Sequence, residues 1–132
     1  MTAAAALLPI LPAVPGGIVL RVTRTKPDGT EYERVESPPV ATPDQAMRSM
    51  RRTARAYTVL MTPLSRTAAH LWAADVEELR VALHGIANGI PCQRSWTLRN
   101  RDVLTLTAVP AAELPQPAHG AGPVPLRREE AR

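Results

Sequence analysis

The sequence predicts an α+β domain in which two β-hairpins form one antiparallel sheet and two helices pack on one of its faces, in the order ββααββ. Three observations carry this. Apolar and polar residues alternate on both sides of a Lys26-Pro27-Asp28-Gly29 turn. They alternate again from Gln93 to Val109. Between these stretches, from Thr42 to Asn88, apolar residues recur at helical spacing.

In the first hairpin, Ile18, Leu20 and Val22 fall on one face of a β-branched strand, Ile18–Thr25. Pro27 presets the turn and Gly29 accepts a positive φ. The returning strand, Thr30–Ser37, carries Glu31, Glu33, Arg34 and Glu36, which suits an edge or a solvated face. Pro38 and Pro39 end it, since neither donates to a ladder.

Thr42, Pro43 and Gln45 spell a capping box with proline at the first helical position. Asp44 in the first turn complements the helix dipole. The helix runs at least to Ala56 and is expected to continue through Met61, because the stripe Met47, Met50, Ala54, Tyr57, Met61 stays in phase. Tyr57, Thr58 and Val59 also suit a strand. Thr62-Pro63 closes this stretch. The second helical region, Ser65–Asn88, shows two stripes: Leu64, Ala68, Leu71 and Trp72, then Leu79, Ala82, Leu83 and Ile86. Asp75 between them either caps a fresh helix with Glu78 or lies on the margin of one long helix. Asn88-Gly89 and Pro91 stop it. The second hairpin places Trp96 and Leu98, then Leu104 and Leu106, toward the core, around a polar Arg99–Asp102 turn.

The chain has 132 residues, enough for one small domain, over 18–109. Most of its 14 prolines lie near the ends, and 1–17 and 110–132, rich in Ala, Pro and Gly, read as flexible tails. The N-terminal apolar run lacks the basic start of a signal peptide and is broken by Pro9, Pro12 and Pro15. No apolar run approaches the ~20 residues of a membrane helix. The single cysteine, Cys92, excludes an internal disulfide and fits a reducing compartment. A cytoplasmic protein is expected, without membrane insertion, metal or cofactor.

The net charge is +4, and Lys26 is the only lysine among the 16 basic residues. Arg48, Arg51, Arg52 and Arg55 share one flank of the first helix, where like charges at i,i+3 and i,i+4 repel by a few tenths of a kcal/mol per pair. A phosphate backbone would relieve that repulsion. A solvated face neutralised by Glu31, Glu33 and Glu36 of the hairpin is the competing reading. Arg94 and the pair Arg99 and Arg101 add further basic spots. Aromatic residues are two Trp and two Tyr with no Phe, too few for the stacking platforms of single-strand binders, so duplex DNA is the preferred polyanion.

The Pro27–Thr30 turn (PDGT) followed by the Thr42–Ala46 cap (TPDQA) resembles the arm-binding domains of tyrosine integrases over Ile18–Ala56. No residue role is carried over from that resemblance.

Nothing marks an enzyme. There is no P-loop, G-x-S-x-G or G-x-G-x-x-G. His70 and His84 on one helix would lie about 21 Å apart, too far to share a metal. Cys92, in an expected loop, reads as a small buried filler. Glu77 and Glu78 are adjacent and diverge on a helix. The expected function is that of a small basic accessory or regulatory protein, of the composition common on plasmids and phages, touching duplex DNA through Arg48, Arg51, Arg52, Arg55, Arg99 and Arg101. The alternative is a protein-interaction or assembly module that uses a sheet edge.

Overall fold

The computed structural model describes residues 11–113. Strands β1 (Ile18–Thr25) and β2 (Glu31–Glu36) precede helices α1 (Pro43–Tyr57), α2 (Pro63–Ala74) and α3 (Val76–Ala87), and β3 (Cys92–Thr97) and β4 (Val103–Pro110) follow. The four strands form one antiparallel sheet in the order β2-β1-β4-β3. The fold is therefore α+β, with three helices where the sequence led us to expect two.

The extra helix boundary has a local cause. The Asp75 carboxylate accepts hydrogen bonds from the Glu77 and Glu78 amides at 3.0 and 3.1 Å, so it starts a fresh helix directly after α2. Thr42 and Gln45 form the expected capping box. Beyond Tyr57 the chain tightens into a 3₁₀ turn, Thr58–Leu60, and Met61 then becomes extended and bridges Leu98. Pro63 begins α2 rather than merely ending the preceding helix, with Thr62 as its N-cap.

In the first hairpin Gly29 has φ +93°, and Lys26 and Thr30 close the turn at 2.8 Å. Val40 exchanges backbone bonds of 2.7 and 2.9 Å with Ile18 after the two prolines. Gly17, with φ +82°, lets this crossing approach closely, since a Cβ there would lie 2.9 Å from Pro39 Cβ and 3.0 Å from Val40 O.

The core lies between one sheet face and the helices. Ile18, Leu20, Leu104, Leu106, Ala108 and Trp96 from the sheet meet Met47, Met50, Ala54, Leu83 and Ile86 from α1 and α3. Period-2 alternation places all of those strand residues on one face. Leu11 and Val14 pack against this core from within the expected N-terminal tail. Pro110 is the last residue of β4, ahead of a 3₁₀ turn, Ala111–Glu113.

One expected stripe faces the wrong way. Leu64, Ala68 and Leu71 are exposed, and α2 instead buries Ala69 and Ala73, with Trp72 packed partly against Trp96 at a centroid distance of 5.4 Å.

Candidate nucleic-acid interface

At about 100° per residue, Arg48, Arg51, Arg52 and Arg55 occupy an arc of α1 roughly 100° wide. Met47, Met50 and Ala54 are buried on the other side. The arc is not chemically uniform. Arg51 sits at its margin, where its guanidinium donates to the Ala73 carbonyl at the end of α2. Burial, then the neighbouring Arg55, lower its pKa below the ordinary arginine value, and its Nε is buried with no partner among the described residues. Arg48 pairs with Asp44 one turn earlier, on a side chain still 69% exposed. Arg52 and Arg55 are exposed and make no ion pair among the described residues. A shallow cavity of about 150 Å³ lies between Asp44, Met47, Arg48, Arg51, Arg55 and Leu79.

The hairpin glutamates do not neutralise this arc. Glu36 holds Arg21 at 2.8 Å, Glu33 holds Arg24 at 3.5 Å, and Glu31 holds Arg34 at 2.8 Å. The Arg34 guanidinium keeps the Glu31 carboxyl below its usual pKa. Elsewhere Glu77 pairs with Arg80, and Glu78 with Arg94. Arg94 is thus engaged, not a free basic spot. Arg66 donates to the Thr58 and Met61 carbonyls at 3.1 and 3.4 Å, closing the chain after α1.

Arg99 and Arg101 sit in the β3–β4 turn, at the end of the molecule where α1 finishes. The Arg99 amide donates to Leu60 O at 2.8 Å, and Arg101 has φ +76°. Because β1 and β4 are neighbours, with Thr25 opposite Val103, the β1–β2 turn lies at the same end. The two turns are tied there by Tyr32, whose hydroxyl donates to Asp102; that bond raises the tyrosine pKa. Lys26 Nζ stands 5.8 Å from the Tyr32 ring centre. A second cavity, about 140 Å³, is lined by Arg24, Leu60, Leu98, Arg99 and Asn100.

Once the ion-paired and carbonyl-bound cations are set aside, Lys26, Arg52, Arg55, Arg99 and Arg101 remain among the described residues. They lie on the C-terminal half of α1 and on the adjoining turns. Sequence reasoning did not include Lys26 in the site. Its only available signal was the sheet order, since a β1–β4 pairing puts both hairpin turns at one end.

His70 and His84 lie exposed on separate helices, and no group of three metal-ligating side chains occurs among the described residues. His119 lies outside them. Cys92 opens β3 rather than sitting in a loop; it is buried, and burial raises its thiol pKa. No described helix is long and apolar enough to cross a membrane. Comparison of this chain with family models, curated proteins and solved structures finds no match.

Proposed function

We propose that this protein is a non-enzymatic accessory or regulatory factor that contacts the phosphate backbone of duplex DNA through the cationic end where α1 meets the two hairpin turns. One observation carries the reading: Arg52 and Arg55 project from the helix flank opposite the core with no acidic partner among the described residues, while the hairpin glutamates are occupied by other arginines. Arg48 joins them at small cost, because an exposed i,i+4 pair is worth only about 0.3–0.5 kcal/mol and exchanges readily for a phosphate. Arg51 does not join, being committed to Ala73. Asp44 near the start of α1 repels phosphate, which directs the contact toward the C-terminal half. Cations on an exposed surface position a duplex without reading its sequence.

The test is a salt titration of binding to duplex DNA. Six contacts, from Lys26, Arg48, Arg52, Arg55, Arg99 and Arg101, give a log–log slope of about −5.4. Arg52→Gln with Arg55→Gln should make the slope shallower by about 1.8, and so should Arg99→Gln with Arg101→Gln. Absence of binding at low salt, or slopes unchanged by both pairs, refutes the reading.

A further inference from the structure

We propose that the flank formed by α2, α3 and the free edge of β3 is a two-fold interface between two copies of this chain. The outward side of α2 is the first ground. Ser65 reaches β3 through its hydroxyl, which accepts from the Thr97 amide at 2.9 Å, and Trp72 packs on Trp96. Arg66 and Ala73 face the α1 side. Ala68 is three residues from Ser65 and four from Trp72, so it adjoins the β3 side, and Leu64 and Leu71 continue outward from it. This stripe therefore overhangs the β3 edge and points away from α1.

The neighbouring helix does the same. Val81 and Gly85 of α3, with Ile90, Pro91 and Cys92, line a groove of about 430 Å³ whose polar members are Glu78, Gln93 and Arg94. Leu64, Leu71, Val81 and Ile90 are 83%, 68%, 63% and 61% exposed. At on the order of 100 Å² per large aliphatic side chain, they show solvent about 300 Å² of apolar surface. That sum, drawn from α2, α3 and the segment after α3, is about the area of a monomer's typical largest apolar patch. It also suits the apolar centre of a half-interface of about 800 Å², with the strand edge and the Glu78–Arg94 pair as its rim.

The strand edge favours self-association. Thr97 turns its backbone outward, since its carbonyl accepts from the Thr62 amide at 3.0 Å and its amide donates to Ser65. By period-2 alternation Ser95 and Gln93 also present backbone outward; the Gln93 carbonyl accepts from the Arg94 guanidinium at 2.8 Å, and the Ser95 amide and carbonyl meet no partner among the described residues. Antiparallel pairing of two such edges sets each copy's Gln93 opposite the other's Ser95. The opposite edge, β2, carries four charged side chains that discourage pairing. Among the described residues the α2 stripe is neutral, and Glu78 holds Arg94. In that register Arg94 of each copy lies opposite Arg94 of the other, and two copies of a chain with net charge +4 can meet there because Glu78 neutralises each of these arginines.

The experiment is sedimentation velocity on the full chain from low micromolar to near millimolar concentration, with amide exchange at Ser95. The wild type should pass from monomer to dimer as concentration rises, and exchange at Ser95 should slow by about tenfold in the dimer. Leu64→Glu with Leu71→Glu should remain monomeric at every concentration with unchanged thermal melting, since neither side chain contributes to the core. Ala68→Arg gives the same readout from a single exposed position should the double variant lose helix. A wild type that stays monomeric, folded variants that dimerise as the wild type does, or a dimer in which Ser95 exchanges at the monomer's rate overturns the proposal. None of these readouts involves DNA, so failure here and failure of DNA binding are separable.

Discussion

Replacing Arg51 by methionine should destabilise the protein, whereas the same change at Arg52, the next residue, should not. The reason lies at the end of α2. The last carbonyls of a helix lack intrahelical partners, and a cation there complements the dipole. α2 has no basic residue in its own last turn. Arg51 of α1 supplies that cation from outside, donating to Ala73 O. A hydrogen bond to a charged group contributes about 1.5–3 kcal/mol. Two effects offset part of this. Methionine retains the apolar stem beside Met47 and Leu79 and removes a guanidinium whose burial lowers its pKa. It also relieves repulsion from Arg55, worth a few tenths of a kcal/mol.

The net loss should be about 1–2 kcal/mol. For a folded part of this size that lowers the melting temperature by about 5–10 °C. The assay is thermal unfolding followed by helical circular dichroism, with a urea midpoint as a second measure. Arg52→Met should stay within about 0.5 kcal/mol of wild type. Equal melting of wild type and Arg51→Met, or equal losses at positions 51 and 52, would refute the division of the arc into an anchoring arginine and outward ones.

Three further outcomes follow from named contacts. Met50 is fully buried in α1, so Met50→Asp should leave no folded population in circular dichroism at neutral pH. Asp75→Ala removes the cap that separates α2 from α3 and should cost about 0.5–2 kcal/mol by chemical denaturation. Burial raises the Cys92 thiol pKa above its ordinary value, so the unfolded chain ionises first as pH rises. Stability should be unaffected by this group below the ordinary thiol range and should fall as pH climbs through it, an effect that Cys92→Ala removes. A disulfide reagent should label Cys92 slowly in the native protein and rapidly in urea.

The hairpins and the first helix were legible because their signals are local. A Pro-Asp-Gly turn and a Thr-Pro-Asp-Gln cap act within a few residues, and Glu31, Glu33 and Glu36 correctly marked an edge. What was not legible depends on which helix meets which. α2 is apolar over more than half its circumference, with Leu64, Ala68, Ala69, Leu71, Trp72 and Ala73 close together in sequence. Spacing cannot say whether leucines or alanines face inward, because each set forms a stripe. Asp75 showed both alternatives openly, and only its bonds to two amides decide between them. Arg51 was inseparable from Arg52 for the same reason, since its use depends on where another helix ends.

These observations converge on one packing choice. Ala69 and Ala73 are both almost fully buried, so this side of α2 faces inward. That orientation places Ala73 O within reach of Arg51, which removes one cation from the outward arc. It also turns Leu64 and Leu71 away from the core, which creates the apolar flank. The engagement of Arg51 and the exposure of the α2 leucines therefore both depend on which side of α2 faces inward. Ala69→Leu adds volume where none is available and should cost about 1–3 kcal/mol through displacement of α2. If the link is right, the displacement also frees Arg51, so duplex DNA binding by the surviving folded protein should gain salt dependence, its slope steepening by about 0.9. A variant that loses stability with its salt slope unchanged would show that the cationic arc and the α1–α2 contact are independent.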